Sequence, residues 1–235
     1  MKILAFESSA KAAGTALLDD GVLLADHMQN CGLTHSVTLL QMAEDMLKSC
    51  ALTVQDVDAV AVAAGPGSFT GVRIGVAAAK GFAWGRQLPC CGVSTLEAMV
   101  RGAAMTDGVY CACMDARRSQ VYNALFSVEG GCLTRLCEDR AVSLQELGED
   151  LKKYEKTIFT VGDGAKLCYN TLVDTVPVLS LLPEHLRLQR AAGVALAAWA
   201  QYREGTPFSS ASALVPSYLR PSQAERERME KQKNQ

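Results

Sequence analysis

The chain has 235 residues, 49% of them hydrophobic and 20% charged, with a formal net charge of −2. That is apolar material for one large core or two modest ones, and the near balance of charge excludes a protein that holds nucleic acid or an acidic membrane surface by its overall field. Nine cysteines, at 31, 50, 90, 91, 111, 113, 132, 137 and 168, are odd in number and include no Cys-x-x-Cys pair, which argues against a disulfide framework or zinc knuckle and for small buried hydrophobes in a reducing cytosol.

Met1–Glu7 carries charge too early for a secretory apolar segment, and the apolar run from Ala191 to Ala200 is too short to span a bilayer. The expected location is the cytoplasm, without membrane contact. Ile3-Leu4-Ala5-Phe6 is a continuous apolar run, the pattern of a strand buried on both faces, and it ends at Glu7-Ser8-Ser9. Gly14–Leu18 and Val22–Ala25 flank Asp19-Asp20-Gly21, which is hairpin chemistry, so three antiparallel strands open the chain.

A helical pattern runs from Thr34 to Cys50. Its apolar positions form two lines, one through Val37, Leu40, Ala43, Leu47 and Cys50 and one through Leu39, Met42 and Met46. The stripe is wider than one core contact requires. Either the helix is deeply packed, or the Leu39–Met42–Met46 side meets a partner, methionine suiting an adaptable surface.

Ala59-Val60-Ala61-Val62-Ala63 predicts a buried parallel strand that delivers the chain to Gly65-Pro66-Gly67-Ser68-Phe69-Thr70-Gly71-Val72-Arg73-Ile74-Gly75. Here a strand stops at a turn and a helix begins, with Ser68 or Thr70 available as cap, and backbone N–H groups at such a junction can hold an anion or make a tight protein contact. Gly71, Gly75, Ala78, Ala79 and Phe82 recur at helical spacing. Glycine inside a soluble helix costs about 1 kcal/mol relative to alanine, so something packs very close: the sheet, another helix or a second subunit. Arg73 places a cation in the first helical turn, where the macrodipole opposes it by roughly 0.3–1 kcal/mol; its partner is an acid such as Glu7 or Asp115, an anionic ligand, or an acidic group on another chain.

Pro89–Val93 reads as a short strand and Ser94–Glu97 as a capped helix start. After a seam at Thr106-Asp107-Gly108, the apolar run Val109–Met114 ends at Asp115, and Gln120–Phe126 alternates as a strand, with another at Cys132–Leu136. A helix at 143–154, a strand at 157–161, Gly162-Asp163-Gly164 and a core helix at 188–202 complete the pattern, and Val215–Pro221 docks the chain near its end. Each half therefore has a buried strand, an acid at its end and a meander. This predicts a duplicated α/β fold with its ligand site in the cleft between halves.

Ile3–Ser9, the Gly65–Gly75 block, Gly92-Val93-Ser94-Thr95-Leu96, Met114-Asp115-Ala116-Arg117 with Val121-Tyr122, and Pro216-Ser217-Tyr218-Leu219-Arg220 together resemble the bacterial TsaB family, formerly YeaZ. The resemblance runs in order across nearly the whole chain. It implies a two-lobed actin-like (ASKHA) fold of ribonuclease-H-like mixed sheets, with a first lobe at 1–106 carrying the dimerisation helices, a smaller second lobe at 107–221 and a charged tail at 222–235. It also implies a non-catalytic assembly subunit for a TsaD-like paralogue that adds threonylcarbamoyl to N6 of the adenosine beside the anticodon in tRNAs reading A-starting codons. A TsaE-like ATPase joins that complex, ATP is used by the complex rather than bound tightly here, tRNA is met through the complex, and the chain alone forms a homodimer.

Under this reading no residue of the chain is catalytic and none holds a metal. Leu39, Met42, Met46, Gly71, Gly75, Ala78, Ala79 and Phe82 are the expected partner interface, the glycine block serving chiefly for close packing between subunits. Glu7, Ser8, Ser9, Gly67, Ser68, Arg73, Asp115, Gly162 and Gly164 are a secondary candidate site for an anion or nucleotide. Glu7 stands where related chains carry Asp. The histidines at 27, 35 and 185 show no paired metal spacing. The competing reading is an independent ATPase or small-molecule kinase using Ser8, Ser9, Asp115 and Gly162-Asp163-Gly164, but neither half has a glycine-rich loop after its first strand and no Walker motif occurs. A peptidase would need a nucleophile and base assembled without any recognised motif.

Overall fold

The computed structural model describes residues 1–220; the charged tail expected at 222–235 lies outside them. The first half runs β1 (Lys2–Glu7), β2 (Ala13–Asp19), β3 (Val22–Gln29), α1 (His35–Ser49), β4 (Ala59–Gly65), α2 (Phe69–Trp84), β5 (Cys90–Ser94) and α3 (Thr95–Ala103). The second runs β6 (Gly108–Asp115), β7 (Gln120–Glu129), β8 (Cys132–Arg135), β9 (Arg140–Ser143), α4 (Leu144–Leu151), β10 (Ile158–Val161), α5 (Ala165–Leu172), β11 (Leu179–Leu181), α6 (Glu184–Arg187) and α7 (Ala191–Arg203).

The two halves share one plan. The first sheet has the order β3-β2-β1-β4-β5, and the second has β8-β7-β6-β10-β11 with β9 also on β7. In each, a three-stranded antiparallel meander is extended on the other side of its first strand by two parallel strands. The first meander closes through the expected tight turn, where Asp20 and Gly21 both take positive φ.

Side-chain size assigns the faces of the first sheet. Leu4, Phe6, Val60 and Val62 pack under α1 and α2, whereas Ile3, Ala5, Ala59, Ala61 and Ala63 form a shallower face that admits the alanine-rich α7. Gly193 of α7 passes so near α3 that a Cβ there would overlap the Ala98 carbonyl oxygen. Thus α7, which the sequence places in the 107–221 segment, packs on the first sheet and not the second.

The packing corrects the expected partner surface. Leu39, Met42 and Met46 are 1%, 6% and 0% exposed, Leu39 and Met46 lying in this chain's own core with Ala43 and Leu47. The other line divides: Ala43 and Leu47 join the core, while Val37 and Leu40, beside Gln41 and Glu44 on the helix, turn to solvent at 76% and 50% exposure. Gly71, Gly75 and Ala79 are likewise buried within the chain, leaving Ala78 and Phe82 partly exposed at the margin of the same core.

Candidate functional site

The chain leaving the C-terminal ends of β1, β4, β6 and β10 lines one cleft of about 840 Å³, the place where parallel sheets receive ligands. Ser9, Gly67, Ser68, Asp115 and Gly162 line it. Glu7 and Ser8 are buried behind it, and Gly164 backs Asp115, whose amide nitrogen a Cβ would approach to 2.9 Å. The structure brings these residues together, Arg73 excepted.

Arg73 pairs with neither Glu7 nor Asp115. Its guanidinium sits 3.8 Å from the Phe69 ring centroid, and its Nε donates to the Tyr218 hydroxyl at 2.8 Å. The Phe69 and Tyr218 rings stack at 4.7 Å. The negative face of the aromatic ring is the partner that a cation in the first helical turn requires, and it ties the C-terminal segment to α2.

The glycine block is used the same way, inside the chain. The Ser68 hydroxyl caps α2 by accepting from Gly71 N–H at 3.3 Å, Ser68 N–H donates to the Ser9 carbonyl at 2.7 Å, and the Ser8 hydroxyl donates to the Gly71 carbonyl at 2.9 Å. Gly65 has φ +125 and lies against the Ser217 carbonyl, which any Cβ would overlap, while Ser217 N–H donates to the Ala64 carbonyl at 2.7 Å. Of the donors a phosphate cradle would present, Ser68 N–H is committed to the β1–β2 loop and Gly71 N–H to the helix cap. Within the chain, the block fastens α2 to that loop and to the C-terminal segment.

Sequence reasoning missed Lys11, Asn30, Lys166, Arg187 and Gln189, which also line the cleft. They sit singly in loops or short helices, where no periodicity or motif marks them. Gln189 donates to Asp163 Oδ1 at 2.9 Å. Arg220 donates to the Ala116 carbonyl at 3.4 Å and to Gln120 Oε1, closing the cleft's rim over the β6–β7 turn, where Arg117, Arg118 and Ser119 all take positive φ.

Glu7 is 1% exposed; Ser9 N–H donates to its Oε1 at 2.6 Å, and its Oε2 has no partner. Burial pushes its carboxyl up to about 7. The folded state then binds a proton that the unfolded chain has released between the ordinary carboxylate range and pH 7, so stability falls as pH rises through that window and levels off above it. We expect Glu7→Gln, which keeps an acceptor for Ser9 N–H and cannot ionise, to flatten this dependence. Urea unfolding of both proteins from pH 5 to 8 measures it; parallel curves would refute the assignment.

Among the described residues, the His, Cys, Asp and Glu side chains converge in one group of three, Cys111, Cys113 and Cys168, which is not part of the cleft. His35 Nε2 is within 2.8 Å of the Ala10 carbonyl. His27 lies in β3 and His185 in α6.

The family model described as "TsaD: tRNA N6-adenosine threonylcarbamoyltransferase" matches residues 29–228. The chain is 32% identical to the tRNA threonylcarbamoyladenosine biosynthesis protein TsaB of Bacillus subtilis (strain 168), over 99% of this chain and 100% of that protein. The solved structure of YeaZ from Pseudomonas aeruginosa matches with a TM-score of 0.76 at 27% identity, covering 93% of this chain and 99% of that one. The ROK hexokinase of Thermus thermophilus matches with a TM-score of 0.50 at 14% identity, covering 87% and 100% of the two chains. That likeness, with the two sheets of one plan, is the two-lobed actin-like fold.

Proposed function

This chain belongs to the TsaB (YeaZ) family, and from that premise we propose that it is the non-catalytic assembly subunit of the complex that adds threonylcarbamoyl to N6 of the adenosine beside the anticodon in tRNAs reading codons that begin with A. Its place is tRNA threonylcarbamoyladenosine biosynthesis. A TsaD-like paralogue performs the transfer, a TsaE-like ATPase joins the complex, and tRNA is engaged through the assembly. Alone, the chain pairs with itself in the cytoplasm.

One observation supports the non-catalytic reading: several polar groups at the strand ends beside the cleft are spent on holding the fold. Ser68 and Gly71 N–H, the Ser8 hydroxyl and one Glu7 oxygen all bond within the chain. The same commitment of donors argues against a nucleotide held tightly at the glycine block, ATP being consumed by the complex, and counts against the independent kinase.

The partner surface is the outer side of α1 and α2, which pack on one face of the first sheet. Val37 and Leu40 are exposed there, with Leu33 in the loop before α1, and Ile74, Ala78 and Phe82 border the core from α2. Such a grouping of apolar side chains suits a protein contact.

The purified chain alone is expected to hydrolyse no ATP above background and to leave tRNA unmodified. Phosphate release and mass analysis of digested tRNA measure the two, and sustained turnover by the isolated chain would overturn the reading.

A further inference from the structure

Cys111 and Cys113 are separated by one residue on β6, so their side chains leave the sheet on the same face. That face is packed by α5, whose Cys168 reaches the same point. The three sulfurs lie within 4.8 Å of one another, those of Cys111 and Cys113 are 3.5 Å apart, and all three residues are 0% exposed. The surrounding core is apolar, with Leu125, Leu147, Ile158 and Leu172. Asn123 is the polar neighbour: its Nδ2 is 3.4 Å from Cys111 Sγ and 3.9 Å from Cys113 Sγ. Arg140 Nε donates to Asn123 Oδ1 at 3.1 Å, which fixes the amide with its nitrogen on the sulfur side, where it also donates to the Ala112 carbonyl at 3.0 Å and stands as a donor beside the cluster.

We propose that Cys111, Cys113 and Cys168 form a closed three-thiolate site for a soft trivalent ion of the arsenic(III) class. Three converging sulfurs select a soft ion. Among the described residues no His, Asp or Glu completes the group, so an ion that requires four ligands, such as zinc, is left short. Charge decides between the remaining soft ions. Three thiolates around a monovalent or divalent ion leave net negative charge in an apolar core, which is costly without a paired cation, whereas a trivalent ion gives a neutral set. With arsenous acid, three As–S bonds form and three As–O bonds break; each thiol proton leaves with a hydroxide as water, and no electron is transferred. The site is reached when α5, a helix of eight residues, opens locally.

The test is arsenite added to the reduced full chain, followed by intact mass under non-denaturing conditions and X-ray absorption at the arsenic edge. The expected result is one arsenic per chain, a mass gain of one arsenic less three hydrogens, and three sulfur neighbours at the metalloid. Uptake should persist in Cys31→Ser/Cys132→Ser, which removes two exposed thiols, and disappear in Cys168→Ala and in Cys111→Ala. Absence of uptake, fewer than three sulfur neighbours, undiminished uptake in Cys168→Ala, or displacement of the arsenic by one equivalent of zinc would each overturn the proposal. The absorption measurement uses the unmodified chain, so it decides the matter even where a variant does not fold.

Discussion

Replacing Val37 and Leu40 together by aspartate is expected to yield a folded chain that no longer pairs with a TsaD-like partner. Val37 and Leu40 are 76% and 50% exposed in the single chain, so their loss removes little internal contact and stability should change by about 0.5 kcal/mol per site. In an interface each would bury a branched apolar side chain for roughly 1–3 kcal/mol, and an aspartate in its place would strand a charge against an apolar surface. The combined effect is a weakening of at least about 100-fold. Gel filtration of the mixed proteins and titration calorimetry measure pairing, and circular dichroism measures folding. Pairing at unchanged affinity would place the interface elsewhere.

Gly71→Leu and Gly75→Leu are expected to do the opposite, abolishing the fold before any question of pairing arises. A Cβ at Gly71 would overlap the Ser8 carbonyl oxygen, and one at Gly75 would lie 2.5 Å from the Ser8 hydroxyl and 3.3 Å from Val62 Cγ2. At Gly71 the overlap is with backbone and cannot be relieved by a rotamer change, whereas at Gly75 the Ser8 hydroxyl can rotate but the rest of a leucine side chain still has to enter the space between α2 and β4. In both the helix must lift from the sheet, at a cost of more than about 4 kcal/mol for Gly71→Leu and somewhat less for Gly75→Leu. Gly81→Ala is the matched control: nothing stands within 4 Å of its Cβ position, and the gain in helix propensity should stabilise the chain by about 0.5–1 kcal/mol. Denaturant unfolding of the three variants separates these outcomes. A native-like Gly75→Leu chain would show that the small-residue face of α2 looks outward after all.

The contrast between these substitutions shows what one sequence can and cannot disclose. Ile3–Phe6 and Val109–Met114 announced themselves as buried strands because their composition admits no exposed face, and the repeated meander after each made the duplication readable. Glycines before a helix also marked Gly65–Gly75 as special. What they pack against was not readable, since Ser8 and Ser217 arrive from opposite ends of the chain. The same holds for Arg73, whose partner Tyr218 is 145 residues away, and for α7, whose alanines fit either sheet until the alanine face of the first is seen.

The two faces of α1 illustrate the limit in its simplest form. Leu39, Met42 and Met46 form one apolar line, and Val37 and Leu40 begin another. Periodicity records both, but the choice of inward face belongs to the sheet beneath, which takes Leu39 and Met46 together with Ala43 and Leu47 from the other line and leaves Val37 and Leu40 outside. In the cleft, strand ends and their acids were legible, whereas Lys11, Lys166, Arg187 and Gln189 come from segments with no regular pattern.

The central claim is that this chain is required for tRNA threonylcarbamoylation as an assembly partner and not as a catalyst. It is tested most directly by measuring modified adenosine in a reconstituted reaction containing the TsaD-like protein, the TsaE-like ATPase, ATP, the threonylcarbamoyl donor and tRNA, with the chain omitted, wild type, or Val37→Asp/Leu40→Asp. The expected result is modification with the wild-type chain alone, and none when it is omitted or carries the double substitution. Equal modification in all three reactions would contradict the assignment.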